Sequence, residues 1–298
     1  DGGLSTITPA IAFELTNRLS LGVAFNLWRS SFLSENSWTQ ELQYEAFGFT
    51  SSDGRWQKTK VREDFEDFRG ENLTLGALWT PVDSWSFGLR LDTAFTGDVD
   101  YTRTQDWTLL FLPVGGMRPG NVAALSRPAK EHRQIRFPQS LALGAAHRFG
   151  DRLTLSFDLT RTDWNDYWMK TASGARISLV DASNQANLLG RKHFTPTLTA
   201  RLGAEYVLLP KEPEETLDYL WTLRGGAYYD EEPATKRPDG FWGVTGGVGL
   251  LAFQRINVDL AYQLRYGNGV NRDFIRGIRG FEEDVLQHRV LLSTVIYF

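Results

Sequence analysis

The sequence predicts an all-β fold, an antiparallel transmembrane β-barrel of the outer-membrane type. Three observations carry that prediction. Apolar residues alternate strictly with small or polar ones from one end of the chain to the other, which is the two-residue period of a two-faced strand. The connections between these segments alternate between short and long, as turns and loops do at the two rims of a barrel. No apolar run approaches the ~18 residues that a membrane helix needs, and no 3.6-residue period is sustained over several turns.

Composition points the same way. Hydrophobic residues make up 42%, too many for a disordered chain. Mean hydropathy of −0.32 looks soluble, yet a barrel turns half of its strand residues to a polar interior. Aromatic residues reach 13%, with 10 Trp, 10 Tyr and 28 Gly. Trp and Tyr gather at membrane interfaces, and Gly gathers where β packing is crowded.

About eleven segments have the ~9–11 residues that a tilted membrane strand requires. They lie near 5–15, 19–30, 71–80, 85–96, 136–148, 152–164, 196–208, 219–230, 241–252, 256–267 and 287–298. In the tenth, Ile256, Val258, Leu260, Tyr262 and Leu264 alternate with Asn257, Asp259, Ala261, Gln263 and Arg265. The short connections include Thr16-Asn17-Arg18, Phe149-Gly150-Asp151 and Phe253-Gln254-Arg255; the long ones fall near 31–70, 97–135, 165–195, 231–240 and 268–286. Within the first long connection, Gln40 to Phe49 and Arg55 to Phe65 flank Ser52-Asp53-Gly54, a polar hairpin expected to stand above the membrane. Residues 1–298 thus form one barrel domain. A soluble sandwich also alternates, but here the face opposite the apolar one mixes charges with Gly, Ala, Ser and Thr, as a shared interior demands. Aromatic residues also close the apolar face at both ends: Trp79, Trp85, Tyr206 and Phe253 near short turns, and Tyr229, Trp242, Tyr262 and Tyr266 toward long ones.

By parity, Arg90, Asp92, Arg201, Glu205, Arg224, Asp259 and Arg265 face the interior and are expected to form a charge network there. Trp107, Leu109, Phe111 and Leu112 make an apolar cluster in a long connection, suited to capturing a hydrophobic ligand, with Arg103, Arg118 or Arg127 available for a carboxylate head. No catalytic residues, cofactor or metal are expected. Gly247 to Ala252 fits a dinucleotide pattern but lies inside a strand with no following helix. His132, His147, His193 and His288 lack metal-ligand spacing. The acidic clusters at 230–232 and 282–284 read as solvated loops more readily than as cation sites, and Arg272, Arg276 and Arg279 could meet lipopolysaccharide phosphates. A net charge of −4 makes nucleic acid an unsuitable partner.

The segments from Asn72 to Asp98, Phe137 to Ser140, Leu223 to Pro233, Pro238 to Trp242 and the terminal strand ending Tyr297-Phe298 together resemble the FadL family of outer-membrane transporters. The resemblance implies fourteen strands, an N-terminal plug, a place in the bacterial outer membrane with the C-terminus at the periplasmic rim, and uptake of long-chain fatty acids or other hydrophobic compounds. Eleven segments would then be the fourth to fourteenth strands, the remainder coming from a missing N-terminal segment or from another chain. The expected partners are membrane lipid, lipopolysaccharide and a hydrophobic small molecule. The alternative function is a structural, scaffold or adhesive barrel without transport.

Overall fold

The computed structural model describes residues 1–31, 34–49, 53–113, 120–125, 128–177, 194–209, 218–234, 237–270 and 282–297. Its strands in chain order begin with β1 (Gly2–Gly3), β2 (Thr6–Ile7), β3 (Ala10–Thr16), β4 (Leu19–Trp28), β5 (Ser37–Phe49), β6 (Asp53–Val82) and β7 (Trp85–Asp92). There follow β8 (Phe95–Pro113), β9 (Gly120–Leu125), β10 (Ala129–Phe137), β11 (Ser140–Phe149), β12 (Leu153–Thr162), β13 (Trp168–Lys170) and β14 (Arg176–Ile177). The last are β15 (Thr197–Leu208), β16 (Tyr219–Glu232), β17 (Asp239–Ala252), β18 (Ile256–Val270) and β19 (Glu283–Ile296). Among the described residues the only helical element is the 3-10 turn Trp164–Asp166. Among these residues no helix is long and apolar enough to cross a membrane.

The main wall runs β3, β4, the second half of β6, β7, β11, β12, β15, β16, β17, β18, β19, each antiparallel to its neighbours. These eleven strands correspond to the eleven segments read from the alternation. Strand β3 pairs with β4 and β19 with β18, and no described ladder joins β3 to β19. The wall is therefore an open trough with two edges.

One face of the wall is apolar and bare: Leu292 is 72% exposed, Val290 67% and Trp242 66%. The accessible surface of 20108 Å² compares with about 13,000 Å² for a compact soluble monomer of this mass. Aliphatic side chains that water would drive inward are left outside, as hydrocarbon surroundings permit. Near the short turns this face carries Trp79, Trp85, Phe87, His147 and Phe149 in mutual contact, with Trp85 stacked on Phe87 at 5.6 Å and His147 edge-on to Phe149 at 4.2 Å.

Beyond the wall at the other end, the first half of β6 continues outward into a second sheet, ordered β1, β5, β6, β8, β10, β13, β14, with β9 on the far part of β8. The polar hairpin expected between Gln40 and Phe65 is the β5–β6 pair of this sheet, with Trp38 opposite Phe65. The connection 97–135, read as a loop, is largely β8 to β10. Its backbone groups pair with the sheet even though its side chains lack the alternation of a wall strand. The compact core sits here: Phe65, Phe68, Val99, Tyr101, Ile135 and Met169, flanked by Trp28, Trp38, Phe95, Phe137 and Tyr167.

Candidate functional site

The polar face of the wall is shaped by what β17 lacks. Its residues on that face include Gly243, Gly247 and Gly249, so side chains of β16 and β18 meet over it. Arg224 of β16 donates to Glu205 Oε2 on β15 at 2.7 Å and reaches across β17 to Asp259 of β18. A Cβ at Gly249 would lie 3.2 Å from Arg224 Nη1 and against Asp259 Oδ1, so glycine is what lets this ion pair form. Asn257 Nδ2 donates to the other Asp259 oxygen at 2.6 Å. Further along, Gln263 of β18 donates to the Tyr228 hydroxyl of β16, and the Tyr228 ring occupies the space a Gly243 side chain would need. Nearest the long connections, Arg265 of β18 reaches Glu232 at 2.5 Å and Asp230 at 3.4 Å, its guanidinium 3.6 Å above the Phe241 ring. A concavity of about 470 Å³ opens on this face, lined by Ser156, Glu205, Arg224, Thr245 and Asp259.

The structure thus joins Arg224 to Glu205 and Asp259, and separately joins Arg90 to Asp92 at 2.9 Å. Arg201 stands opposite Asp158 and Tyr228 in register. Parity alone did not show that Arg265 turns to Asp230 and Glu232, because that contact skips a strand. The acidic cluster at 230–232 is divided between faces: Glu231 accepts from the Leu198 N–H at 2.7 Å and the Tyr229 hydroxyl at 3.1 Å. Among the described residues no acidic or histidine cluster is arranged to hold a metal.

Above the trough lies the aromatic cluster. Trp28 stacks on Phe95 at 5.5 Å, Phe95 on Phe137 at 5.1 Å, and Phe68 meets all three edge-on. Trp28 Nε1 donates to Asn72 Oδ1 at 2.8 Å, which ties the stack to the polar face of β6. A Cβ at Gly70 would come within 2.7 Å of Phe95, and one at Gly97 would strike the Phe68 ring. The sequence alternation hid this cluster because the chain breaks pairing at Thr93-Ala94 and Pro138-Gln139, and parity flips at each break. Those two breaks were the available signal.

Farther out on the same face, Tyr101 donates to Glu63 at 2.6 Å, and the Arg133 guanidinium lies 3.2 Å over the Tyr101 ring. Burial, then the Glu63 carboxylate, raises the Tyr101 hydroxyl pKa well above its ordinary value. Arg103 is nearly buried. Its Nε has no hydrogen-bond partner, Nη2 donates to Gln105 at 3.3 Å, and Glu63 is 4.0 Å away. Trp107 follows on β8 with the same parity as Arg103, half-buried. Leu109, Phe111 and Leu112 pair through their backbone with Gln57, Arg55 and Gly54 of β6; their side chains, and all of Arg118 and Arg272 to Arg279, lie outside the described residues.

The comparisons agree with this architecture. A Pseudomonas aeruginosa FadL homologue superposes with a TM-score of 0.55 at 18% identity, over 97% of this chain and 65% of the homologue, so the chain spans less than two thirds of its length. The CymD monoaromatic hydrocarbon channel (TM-score 0.44, 12% identity, 97% and 81% coverage) and the Pseudomonas putida toluene transporter TodX (0.42, 14%, 97% and 81%) also match. No curated protein sequence matches. The model of the outer membrane protein transport family (OMPP1/FadL/TodX) matches residues 4–268, and with an open, outward-apolar wall around a polar trough, this chain belongs to that family of outer-membrane proteins.

Proposed function

We propose that the chain forms most of the wall of a non-catalytic outer-membrane channel for hydrophobic small molecules, long-chain fatty acids among the candidates. The observation that carries this reading is the partly exposed ring stack of Trp28, Phe95 and Phe137, seated on the buried Phe68 and set on the same face as the polar trough and above it. A hydrophobic molecule leaving water gains ~25 cal/mol per Å² buried, which an apolar patch at the mouth supplies and a uniformly polar pore does not. Capture begins at Trp107, Leu109, Phe111 and Leu112 of β8. Arg103, earlier on the same strand and in ion-pair range of Glu63, and Arg118 in the adjoining segment are the basic residues for a carboxylate head. The trough charges at 90, 92, 201, 205, 224, 259 and 265 keep the path hydrated.

The same reading puts the short turns and the C-terminus at the periplasmic rim, and the second sheet outside the cell. Just past the apolar band, Arg29–Glu71, Arg136–Asp166 and Arg161–Asp163 pair at 2.8, 2.9 and 2.9 Å, a belt placed to meet lipopolysaccharide phosphates. Further strands, from a segment outside this sequence or from another chain, cover the edges of β3 and β19. Replacing Phe111 and Leu112 with Ser in the complete protein tests the capture role. Uptake of a labelled fatty acid or aromatic hydrocarbon falls while barrel assembly and surface display persist. Unchanged uptake across a concentration series favours the scaffold or adhesive alternative.

A further inference from the structure

We infer that the chain preceding Asp1 in the complete protein runs down the free edge of β5 and adds a strand to the second sheet, whatever the channel carries. Strand β5 is 13 residues long. Along one edge it pairs with β6 in unbroken register from Trp38 to Phe49, while along the other its partner among the described strands is β1, which covers only Ser37 and Trp38. Residues 40–48 are all exposed, Phe47 by 68%. A long open edge is a template for another strand, and proteins blunt it with Pro, Lys, bulges or brevity. Strand β5 has none of these devices: it holds no Pro or Lys, and its Glu41 and Glu45 are drawn back to Lys60 and Lys58 of its own sheet.

The seating of β1 identifies the strand that covers this edge. Gly3 stands opposite Ser37 and Gly2 opposite Trp38, and Asp1 continues the ladder: its nitrogen donates to Thr39 O at 2.9 Å and its carbonyl accepts from the Thr39 N–H at 2.7 Å. The contact uses one N–H of Asp1, so a peptide amide there preserves it. Glycine permits the close approach, since a Cβ on Gly2, at φ 120°, would lie 2.3 Å from Ser37 O and 2.5 Å from Trp38 Cα. Traced backwards, the antiparallel register points along β5 away from the wall, and about ten extended residues reach Phe49. Because Thr39 exchanges both bonds with Asp1, alternation turns the N–H and C=O groups of Glu41, Gln43, Glu45 and Phe47 to the same edge. A second copy in the same membrane fits these groups badly. A two-fold axis along the membrane normal keeps each residue at its own height, so N–H would face N–H. On one face of the sheet the added strand continues the row Trp107, Thr59, Tyr44 and widens the surface that carries Trp107.

The test uses the complete protein, and introduced cysteine pairs are diagnostic because residues 1–298 contain no Cys. Continued without a shift, the register sets the fifth residue before Asp1 opposite Tyr44, in a non-hydrogen-bonded pair whose Cα atoms stand about 4.5 Å apart, a distance that a disulfide spans. Tyr44→Cys with a cysteine at that position cross-links within one chain under mild oxidation, whereas a cysteine at the fourth or sixth position, on the opposite face, does not. Site-resolved amide exchange in native outer membranes is the second readout. Glu41, Gln43, Glu45 and Phe47 exchange as slowly as Leu42, Tyr44 and Ala46, whose amides bond β6. Gly2→Val unseats β1 and speeds the odd-numbered set by about tenfold or more, while the even-numbered set stays within about threefold. Should that variant assemble poorly, the cross-link made with Gly2 in place carries the test. Fast exchange of the odd-numbered set in the unaltered protein, with no cross-link at Tyr44→Cys, overturns the inference. A cross-link between chains instead of within one overturns it in favour of a second copy.

Discussion

At the scale of single residues, the wall shows where its local rules are broken. The turn from β17 to β18 places both Phe253 and Gln254 at positive φ, 53° and 58°, closed by an Arg255 N–H to Ala252 O hydrogen bond at 3.0 Å. Two consecutive left-handed residues make the tight hairpin whose twist matches the strands, and Asn-Gly is the pair that adopts it without strain. An L side chain there costs about 1 kcal/mol or more. Phe253 has a reason to stay, since it packs on Tyr219 at 5.1 Å in the aromatic rim. Gln254 has no such contact. Gln254→Gly is therefore expected to stabilise the barrel by about 0.5–1 kcal/mol, read as a higher urea midpoint for unfolding in detergent or lipid. An unchanged or lower midpoint would mean that the strain is relieved elsewhere. The same logic explains Gly249, whose missing side chain is the passage through which Arg224 reaches Asp259.

At the scale of elements, β8 and β10 are held together by His132, whose ring lies between two carboxylates: Nδ1 is 3.1 Å from Asp100 and Nε2 is 3.3 Å from Asp98. Only the doubly protonated ring donates to both. The hydrogen bond to Asp100 leads the causes that raise the His132 pKa above its ordinary 6.5, with Asp98 adding to it. Arg69 on β6, itself paired with Asp67, also faces these carboxylates. Because the folded-state pKa is raised, the stabilisation is complete below about pH 6.5 and is lost as pH rises through the higher folded value. Amide exchange of β8 and β10, corrected for intrinsic rate, should therefore accelerate between pH 6 and 9, and His132→Gln should flatten that dependence. All three groups are well exposed, so the effect is modest. The Ser52-Asp53-Gly54 turn marks the β5–β6 hairpin of this second sheet, but alternation could not reveal that β8 and β10 extend it. Arms such as Glu41, Glu45, Lys58, Lys60 and Arg62 pair charge with charge across β5 and β6, and polar strands standing clear of lipid carry no two-residue hydrophobic period. Wall strands were legible because lipid on one side and water on the other impose that period on every residue.

At the scale of the whole molecule, strand count and direction constrain what completes the wall. Eleven antiparallel strands leave β3 and β19 running parallel to one another, so joining them directly would break the antiparallel ladder that every neighbouring pair of the wall obeys. A second copy set beside the first in the same membrane orientation would place its β3 against the first copy's β19, and that pair too would be parallel. Only an odd number of intervening strands satisfies both the ladder and the membrane, where each uncovered backbone group costs several kcal/mol. If the edges are covered in this way, amide groups of β19 that do not bond β18 exchange slowly in native outer membranes, on the timescale of the central strands β16 and β17. Exchange as fast as that of the long connections would show an edge open to water. The lateral position of the wall provides a control in the same sample. Spin labels at 258, on the apolar face, and at 259, on the polar face, should differ in access to a lipid-soluble quencher. That difference, together with slow exchange at β19, is the combination expected of a closed barrel in lipid, whereas equal access at 258 and 259 is incompatible with any barrel built from this wall.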